Sequence, residues 1–230
     1  MLPADSLRPV YDLPLGDLTR EKGSRGRVFR AVQGGSRVLD VGCDTGRFGE
    51  ALRRLKGCRV DGIEPDGAAA EVARGRLDRV WQRRVEDETA FGDVGQYDVV
   101  LFLDVLEHLV DPWRALRNAT TVLRPGGALH VVTPNIAHVS VVRRLLAGRF
   151  EYAEFGTMDR THLRWFTRAS LKACLESAGV ERVDVGVIPI VPHLESTGTF
   201  GDGIARALGK LLPDAFGGSL HGRGFARVNA

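Results

Sequence analysis

Cysteine is scarce in this chain and nothing pairs it. The three cysteines, Cys43, Cys58 and Cys174, are odd in number, far apart and without CxxC or histidine-paired spacing. That argues against a disulfide framework and for reduced thiols in a cytosol. Charge of one sign is also missing: lysine and arginine exceed aspartate and glutamate by only three. The basic residues are scattered as singles and pairs, such as Arg53 with Arg54 and Arg143 with Arg144. A nucleic-acid partner needs a concentrated basic face, so nucleic acid is disfavoured as substrate. No uncharged apolar run approaches membrane-spanning length, which predicts no membrane span. The amino terminus, MLPADSLRPVYDLPLG, lacks a basic start followed by an apolar core and does not read as a secretory signal. A cytoplasmic protein is the expectation.

What is present is ordinary globular chemistry, 43% hydrophobic and 27% charged over 230 residues, enough to bury a sizeable core. Apolar runs of strand length alternate with helical patterns, the signature of βαβ units and a parallel sheet. Strands are predicted at 36–41, 59–64, 79–84, 97–103, 127–133, 180–188 and 224–229. Helices are predicted near 47–56, 67–77, 112–123 and 168–178. Pro112 suits a first helical turn, LRPGG at 123–127 ends the helix before the next strand, and Thr167 caps the last helix. Residues 1–35 read as an amino-terminal helical segment ahead of a single domain over 36–230. Two stretches fit the alternation less well. One is 134–166, with a helix-like HVSVVRRLLAG and an aromatic, charged loop; the other is 192–223, rich in Gly and Pro around a short amphipathic IARALGKLL. An insertion after the strand at 127–133 would lie over the carboxyl ends of the strands, where such sheets bind ligands, so 134–166 is a lid candidate.

The first strand runs into the turn RVLDVGCDTGRFGEAL, residues 37–52. Glycines between a strand and a helix allow a tight turn and a close ligand, and the helix amino terminus offers free N–H groups. A dinucleotide turn reads G-x-G-x-x-G, but here Asp44 takes the middle glycine's place. A carboxylate against a pyrophosphate is repulsive, so the ligand should lack phosphate there. An adenosyl compound with a cationic tail, S-adenosylmethionine, meets that demand. Glu64, eighteen residues past Gly46 in GIEPD, stands where an acid accepts hydrogen bonds from ribose hydroxyls.

The blocks VLDVGCDTG, GIEPD, YDVVLFLDVLEHLVDPWRALRNATTVLRPGGALHVVTPN and DRTHLRWFTRASLKACLESAG resemble those of the class I S-adenosylmethionine-dependent methyltransferases. More narrowly, they resemble the branch that carries the VLEHL.DP and LRPGG blocks. The resemblance spans roughly residues 36–190. It implies an α/β, Rossmann-like sheet of seven strands, mostly parallel with the last antiparallel, and a lid insertion after the fifth. It places Asp40, Gly42, Cys43, Asp44 and Gly46 beside the methionyl part of the cofactor and Glu64 on the ribose. Pro65 and Asp66 would flank adenine, as would one of Val85, Glu86 and Asp87. Phe102, Leu103 and Asp104 would line the cofactor, with His108 just beyond. The family usually has glycine at position 44.

Methyl transfer to a hydroxyl requires removal of its proton, and histidine is the usual agent near neutral pH. His130 reads as mid-strand, while His193 and His221 read as loop residues without partners. His138 and His162 fall in the lid candidate, where the methyl group should be met. His162 is the expected base, oriented by Asp159 three residues before it if that stretch is a helical turn. Asp104, Asp159 and His162 are also metal-ligand types, but no tight spacing such as HxxxH occurs, so no metal is expected. The function expected is O-methylation of a sugar or secondary-metabolite hydroxyl, with no nucleic-acid or membrane partner and a homodimer left open. A non-catalytic methyltransferase-like accessory subunit is the alternative. A nicotinamide oxidoreductase would need glycine at position 44 and a Tyr-x-x-x-Lys, and neither is present.

Overall fold

The computed structural model describes residues 23–189 and 212–228. Seven strands form one sheet in the order β3-β2-β1-β4-β5-β7-β6. They are β1 (Arg37–Val41), β2 (Arg59–Ile63), β3 (Arg79–Trp81), β4 (Tyr97–Leu103), β5 (Leu123–Pro134), β6 (Glu181–Pro189) and β7 (Gly217–Phe225). Pairings among β1 to β5 are parallel, and β7 is antiparallel to both β5 and β6. The expected seven-stranded α/β architecture is therefore present, with β7 as the reversed strand. Order turns back between β1 and β4, so the crevice of the sheet opens at their carboxyl ends.

The helices are α1 (Ser24–Ala31), α2 (Arg47–Lys56), α3 (Gly67–Arg74), α4 (Pro112–Thr120), α5 (Val139–Leu146), α6 (Arg168–Ser177) and the short α7 (Pro213–Phe216). Alternate residues of β4 divide the core into two layers. Val99, Leu101 and Leu103 pack with Val28 and Phe29 of α1, Phe48 and Leu52 of α2, and Ala73 of α3. Val100 and Phe102 pack on the other face with Leu116 of α4 and Leu171 and Leu175 of α6. A strand buried on both faces reads as a continuous apolar run, which is why YDVVLFL stands out in the sequence.

Several expected boundaries shift. The last strand is Gly217–Phe225, not 224–229. Its sequence, GGSLHGRGF, has little strand character because α6 and β6 come down on it: a Cβ on Gly222 would meet Leu175 at 2.6 Å and one on Gly224 would meet Val180 at 2.5 Å. LRPGG does not lie outside the sheet either. Leu123 already pairs with Tyr97, and the register slips between Tyr97 and Val99 before Ala128 resumes the ladder. Helices α3 and α4 close at Arg74 and Thr120, three residues earlier than periodicity predicts, and β3 is three residues long. Pro112 does occupy the first turn of α4, and Thr167 caps α6 through a reciprocal box with Ser170. His221 is no loop residue: it lies in β7, buried, with its Nε2 3.0 Å from Nδ1 of His130. The helix expected within IARALGKLL, His193 and most of the amino-terminal segment lie outside the described residues.

Candidate active site

At the switch point β1 delivers Asp40, whose side chain is buried, and the chain turns through Gly42 to Gly46 into α2. Gly42 has φ +70°, and a Cβ there would meet Val105 at 2.6 Å, so only glycine lets the turn lie against the end of β4. Asp44 also adopts the left-handed region, φ +49°. Its backbone N–H donates to Glu64 at 2.9 Å, and that of Asp66 donates to the other Glu64 oxygen at 2.9 Å. The end of β2 and the first turn are thereby tied together. Each Glu64 oxygen takes one N–H and keeps a lone pair for a further donor. Gly46 begins α2 without a side-chain cap, leaving helix amino-terminal N–H groups for another acceptor.

Asp40, Gly42, Cys43, Asp44, Thr45, Arg47, Phe48, Leu103 and Arg25 surround one small cavity here. Arg25, on α1, was not foreseen in the sequence because nothing local marks it. Its guanidinium lies 3.4 Å from the Asp104 carboxylate and thus bridges α1 to the end of β4. Asp104, too, has positive φ, +59°. Burial pushes the Asp40 pKa up to about 7, with Arg25 opposing and the Glu64 and Asp44 carboxylates reinforcing. Burial likewise raises Glu64, against the pull of its two backbone N–H donors. Burial and the Asp40 carboxylate push the Cys43 thiol well above its ordinary value, so it is no nucleophile.

Other residues expected around the cofactor have different duties. The Phe102 side chain is wholly in the core, so only its backbone can face the crevice. Asp66 caps α3, accepting from Ala69 N–H at 2.8 Å, while Pro65 is exposed. Glu86 accepts from Val110 and Asp111 N–H at 2.9 and 3.1 Å, clamping the loop before α4, and Val85 is buried in the core.

Beyond Asp104 a short 3-10 turn, Leu106–His108, presents a second group. Glu107 is buried and accepts from the Thr133 hydroxyl at 3.0 Å. Burial, reinforced by Asp104, lifts its pKa to about 8. Its backbone carbonyl receives the N–H groups of Leu163 and Arg164, pinning the loop that carries His162. His162 is buried, its Nδ1 3.1 Å from the Thr157 carbonyl, and its ring meets the ring of His108 edge-on at 4.8 Å. His108 in turn has Nδ1 3.3 Å from the Thr161 carbonyl, and its pKa is lowered by burial and by His162. The Thr157 carbonyl, rather than Asp159, thus orients the His162 imidazole. Asp159 sits in the expected turn, its carbonyl receiving His162 N–H, but its carboxylate is taken by the N–H and hydroxyl of Thr161 at 2.8 and 2.6 Å. Those hydrogen bonds outweigh burial and lower its pKa. His138 caps α5, its Nδ1 accepting from Ser140 N–H, a structural role.

Ligand atoms of Glu107, His108 and His162 all lie within 4.8 Å of one another. That carboxylate and two imidazoles are chemically able to hold a divalent cation. No sequence spacing could show it, since His162 arrives from 54 residues beyond His108. A larger cleft lies elsewhere, at the amino ends of the strands. Its arginines are partly tied to aspartates, Arg37 with Asp61 and Arg124 with Asp98.

The profile of the family described as "Methyltransferase domain" matches residues 20–185. This chain belongs to the class I S-adenosylmethionine-dependent methyltransferases. The methyltransferase is 32% identical over 165 residues to the ubiquinone biosynthesis O-methyltransferase of Aeromonas salmonicida, covering 69% of this chain and 68% of the relative. It is 32% identical over 189 residues to the protein of the same name from Azorhizobium caulinodans, covering 79% and 73%. The fold of the methyltransferase is shared with a SAM-dependent methyltransferase from Archaeoglobus fulgidus, at TM-score 0.63, 20% identity and coverage of 92% and 98%. It is shared as well with the N-methyltransferase NodS from Bradyrhizobium japonicum in complex with S-adenosyl-L-homocysteine, at TM-score 0.58, 18% identity and coverage of 97% and 93%.

The residues present fit this methyl donor. A bound S-adenosylmethionine supplies an electrophilic methyl on a sulfonium. Glu64 retains acceptor capacity for a ribose, Asp40 for an ammonium, and Arg25 is the cation beside them for a carboxylate. A phosphate-rich nucleotide would meet Asp40, Asp44 and Glu64 together, a repulsive set.

Proposed function

We propose that the methyltransferase acts on a hydroxyl oxygen of a small molecule, with His162 as general base and residues 134–166 as the lid over the acceptor. The relatives named as O-methyltransferases support transfer to oxygen, and their names favour a ring hydroxyl of a quinone precursor over a sugar. One observation carries the reading. His162 is buried, with Nδ1 held on the Thr157 carbonyl, which leaves Nε2 as the free lone pair. The loop that bears it is fastened to Glu107, three residues from Asp104 at the carboxyl end of β4. The donor pocket and the imidazole therefore flank the same strand end.

Chemistry then requires little from the protein. Asp40, Glu64 and Arg25 would hold the donor; the lid excludes water and positions the acceptor oxygen, and His162 Nε2 takes the hydroxyl proton. Asn135 anchors the lid, donating to the Asp214 and Gly217 carbonyls at 2.7 Å each, and pairs with Phe166 at the other end of the segment. The test is a comparison of phenolic and sugar acceptors with the intact protein and radiolabelled donor. Turnover on a phenolic hydroxyl that falls with His162→Asn is expected. Donor binding with no turnover over a broad hydroxyl panel would instead give the accessory-subunit reading.

A further inference from the structure

Position 44 carries a charge in the wall of the donor pocket where the turn needs none. We propose that the Asp44 carboxylate makes this pocket discriminate between the methyl donor and the spent donor, favouring the cationic sulfonium over the neutral thioether and so limiting product inhibition. The proposal rests on the donor-site reading above.

Placement is the first argument. The sulfur of the donor joins a ribose to an amino-acid tail. The proposed ribose acceptor, Glu64, receives Asp44 N–H, and the proposed tail groups Asp40 and Arg25 line the same cavity as Asp44. Residue 44 thus lies between the two ends that the sulfur links. The second argument is electrostatic. The Asp44 charge is felt at Asp40, at Cys43 and at Glu64, raising each of their pKa values, so the residue, though exposed to solvent, acts electrostatically on the pocket wall. The third is conformational. Asp44 holds φ +49°, a region glycine occupies without cost, so its side chain is not needed to form the turn. The only hydrogen bond its carboxylate makes among the described residues is a long one, 3.5 Å from the Thr45 hydroxyl.

Methyl transfer converts a donor with a positive sulfur into a product with a neutral one, and little else about the ligand changes. A fixed negative charge near that atom stabilises the first and not the second, so it acts on the ratio of the two affinities. Arg25 and Arg47 also line the wall, but the tail carboxylate that a cation would favour is common to both ligands.

Calorimetry tests this on the full chain with S-adenosylmethionine, S-adenosylhomocysteine and sinefungin, whose amine replaces the sulfonium. In Asp44→Asn and Asp44→Gly the affinity for the two cationic ligands should fall relative to S-adenosylhomocysteine by about three- to tenfold, the effect of one partly screened charge. Binding of S-adenosylhomocysteine itself should change by less than about twofold, and product inhibition should tighten against KM. An unchanged ratio overturns the proposal, and so does an equal loss for all three ligands, which would make Asp44 a support for the turn. If the wild-type chain binds none of the three, the donor-site reading fails and the proposal falls with it.

Discussion

The proposed donor side of the crevice and the proposed acceptor side around His162 are built by different means. Around the donor, the contacts that fix the glycine turn join residues fairly close in sequence, Asp44 to Glu64, twenty apart, and Glu64 to Asp66, two apart; the Arg25–Asp104 pair, seventy-nine apart, is the long-range exception. Helix α2 enters there from Gly46 with no side-chain cap, so its N–H groups stay available. On the acceptor side, Thr133 reaches Glu107 across twenty-six residues and His108 reaches Thr161 across fifty-three. Helix α6, which follows the His162 loop, is closed by the Thr167–Ser170 box. One side is a short motif that keeps its donors open for a ligand; the other is a long-range assembly that spends its hydrogen bonds on holding itself together. The contrast implies that substitutions on the first side act on donor affinity and those on the second act on turnover and lid stability.

His162→Ala should give the largest effect, a loss of about 10²- to 10⁴-fold in turnover, while donor affinity measured by calorimetry stays within about twofold. A parallel loss of donor affinity would erase the division between the two sides. The same experiment gains from chelation. With His162 as base, EDTA leaves the rate within about twofold; a loss restored by a divalent cation would reassign His162, with Glu107 and His108, to a metal.

Glu64→Ala comes next, with donor affinity expected to weaken by about 10- to 100-fold, since it removes a charged acceptor and leaves two backbone N–H groups of the turn without their partner. Equilibrium binding of S-adenosylhomocysteine reads this directly. Retained affinity would show that the ribose is held elsewhere.

The asymmetry also decides what could be read in the sequence. Strands β1 and β4 were legible because burial on both faces leaves uninterrupted Val and Leu runs. The acids Asp40, Asp44 and Glu64 were legible because one βαβ unit brings them together by local geometry. Strand β7 was not, because Leu175 of α6 crowds Gly222 and Val180 crowds Gly224, and glycine reads as a break. Arg25 was not, because its partner Asp104 lies 79 residues away. His162 was singled out by its neighbours in sequence, but the group that orients its ring was not: a backbone carbonyl, that of Thr157, leaves no residue-type signal, and Asp159 stood at a plausible spacing with its Oδ1 already committed to Thr161. Glu86, one of three residues that the family resemblance set near adenine, has its Oε1 occupied by two loop N–H groups, which likewise leave no residue-type signal.

Acidity sharpens the donor half further. Asp40 titrates at about 7 in the free protein because burial disfavours its charge. Below that value it is protonated and cannot attract an ammonium, so donor affinity should climb with pH, by up to about tenfold per unit, and level off above about 7. The sign follows from the raised value: binding a cation favours the carboxylate, so protons are released on binding below pH 7 and few above it. Calorimetry in buffers of different ionisation enthalpy measures that release. An affinity that is flat from pH 5.5 to 8 would remove Asp40 from contact with the cationic tail.

The smallest expected effect concerns support of the acceptor half. Thr167 accepts from Ser170 N–H at 3.2 Å, while its own N–H donates to the Ser170 hydroxyl at 2.9 Å, so two of the otherwise unpartnered groups at the start of α6 are satisfied. Phe166, the residue before it, is buried and pairs with Asn135, at the other end of the proposed lid. Thr167→Ala leaves Phe166 in place and removes the cap, at a cost of about 1 kcal/mol and a fall in Tm of about 2–4 °C. Donor affinity should not move, because α6 packs on the opposite face of the sheet from α1 and α2. A loss of donor affinity in this variant would mean that the two sides are coupled through the sheet and are not the separable halves that their contacts describe.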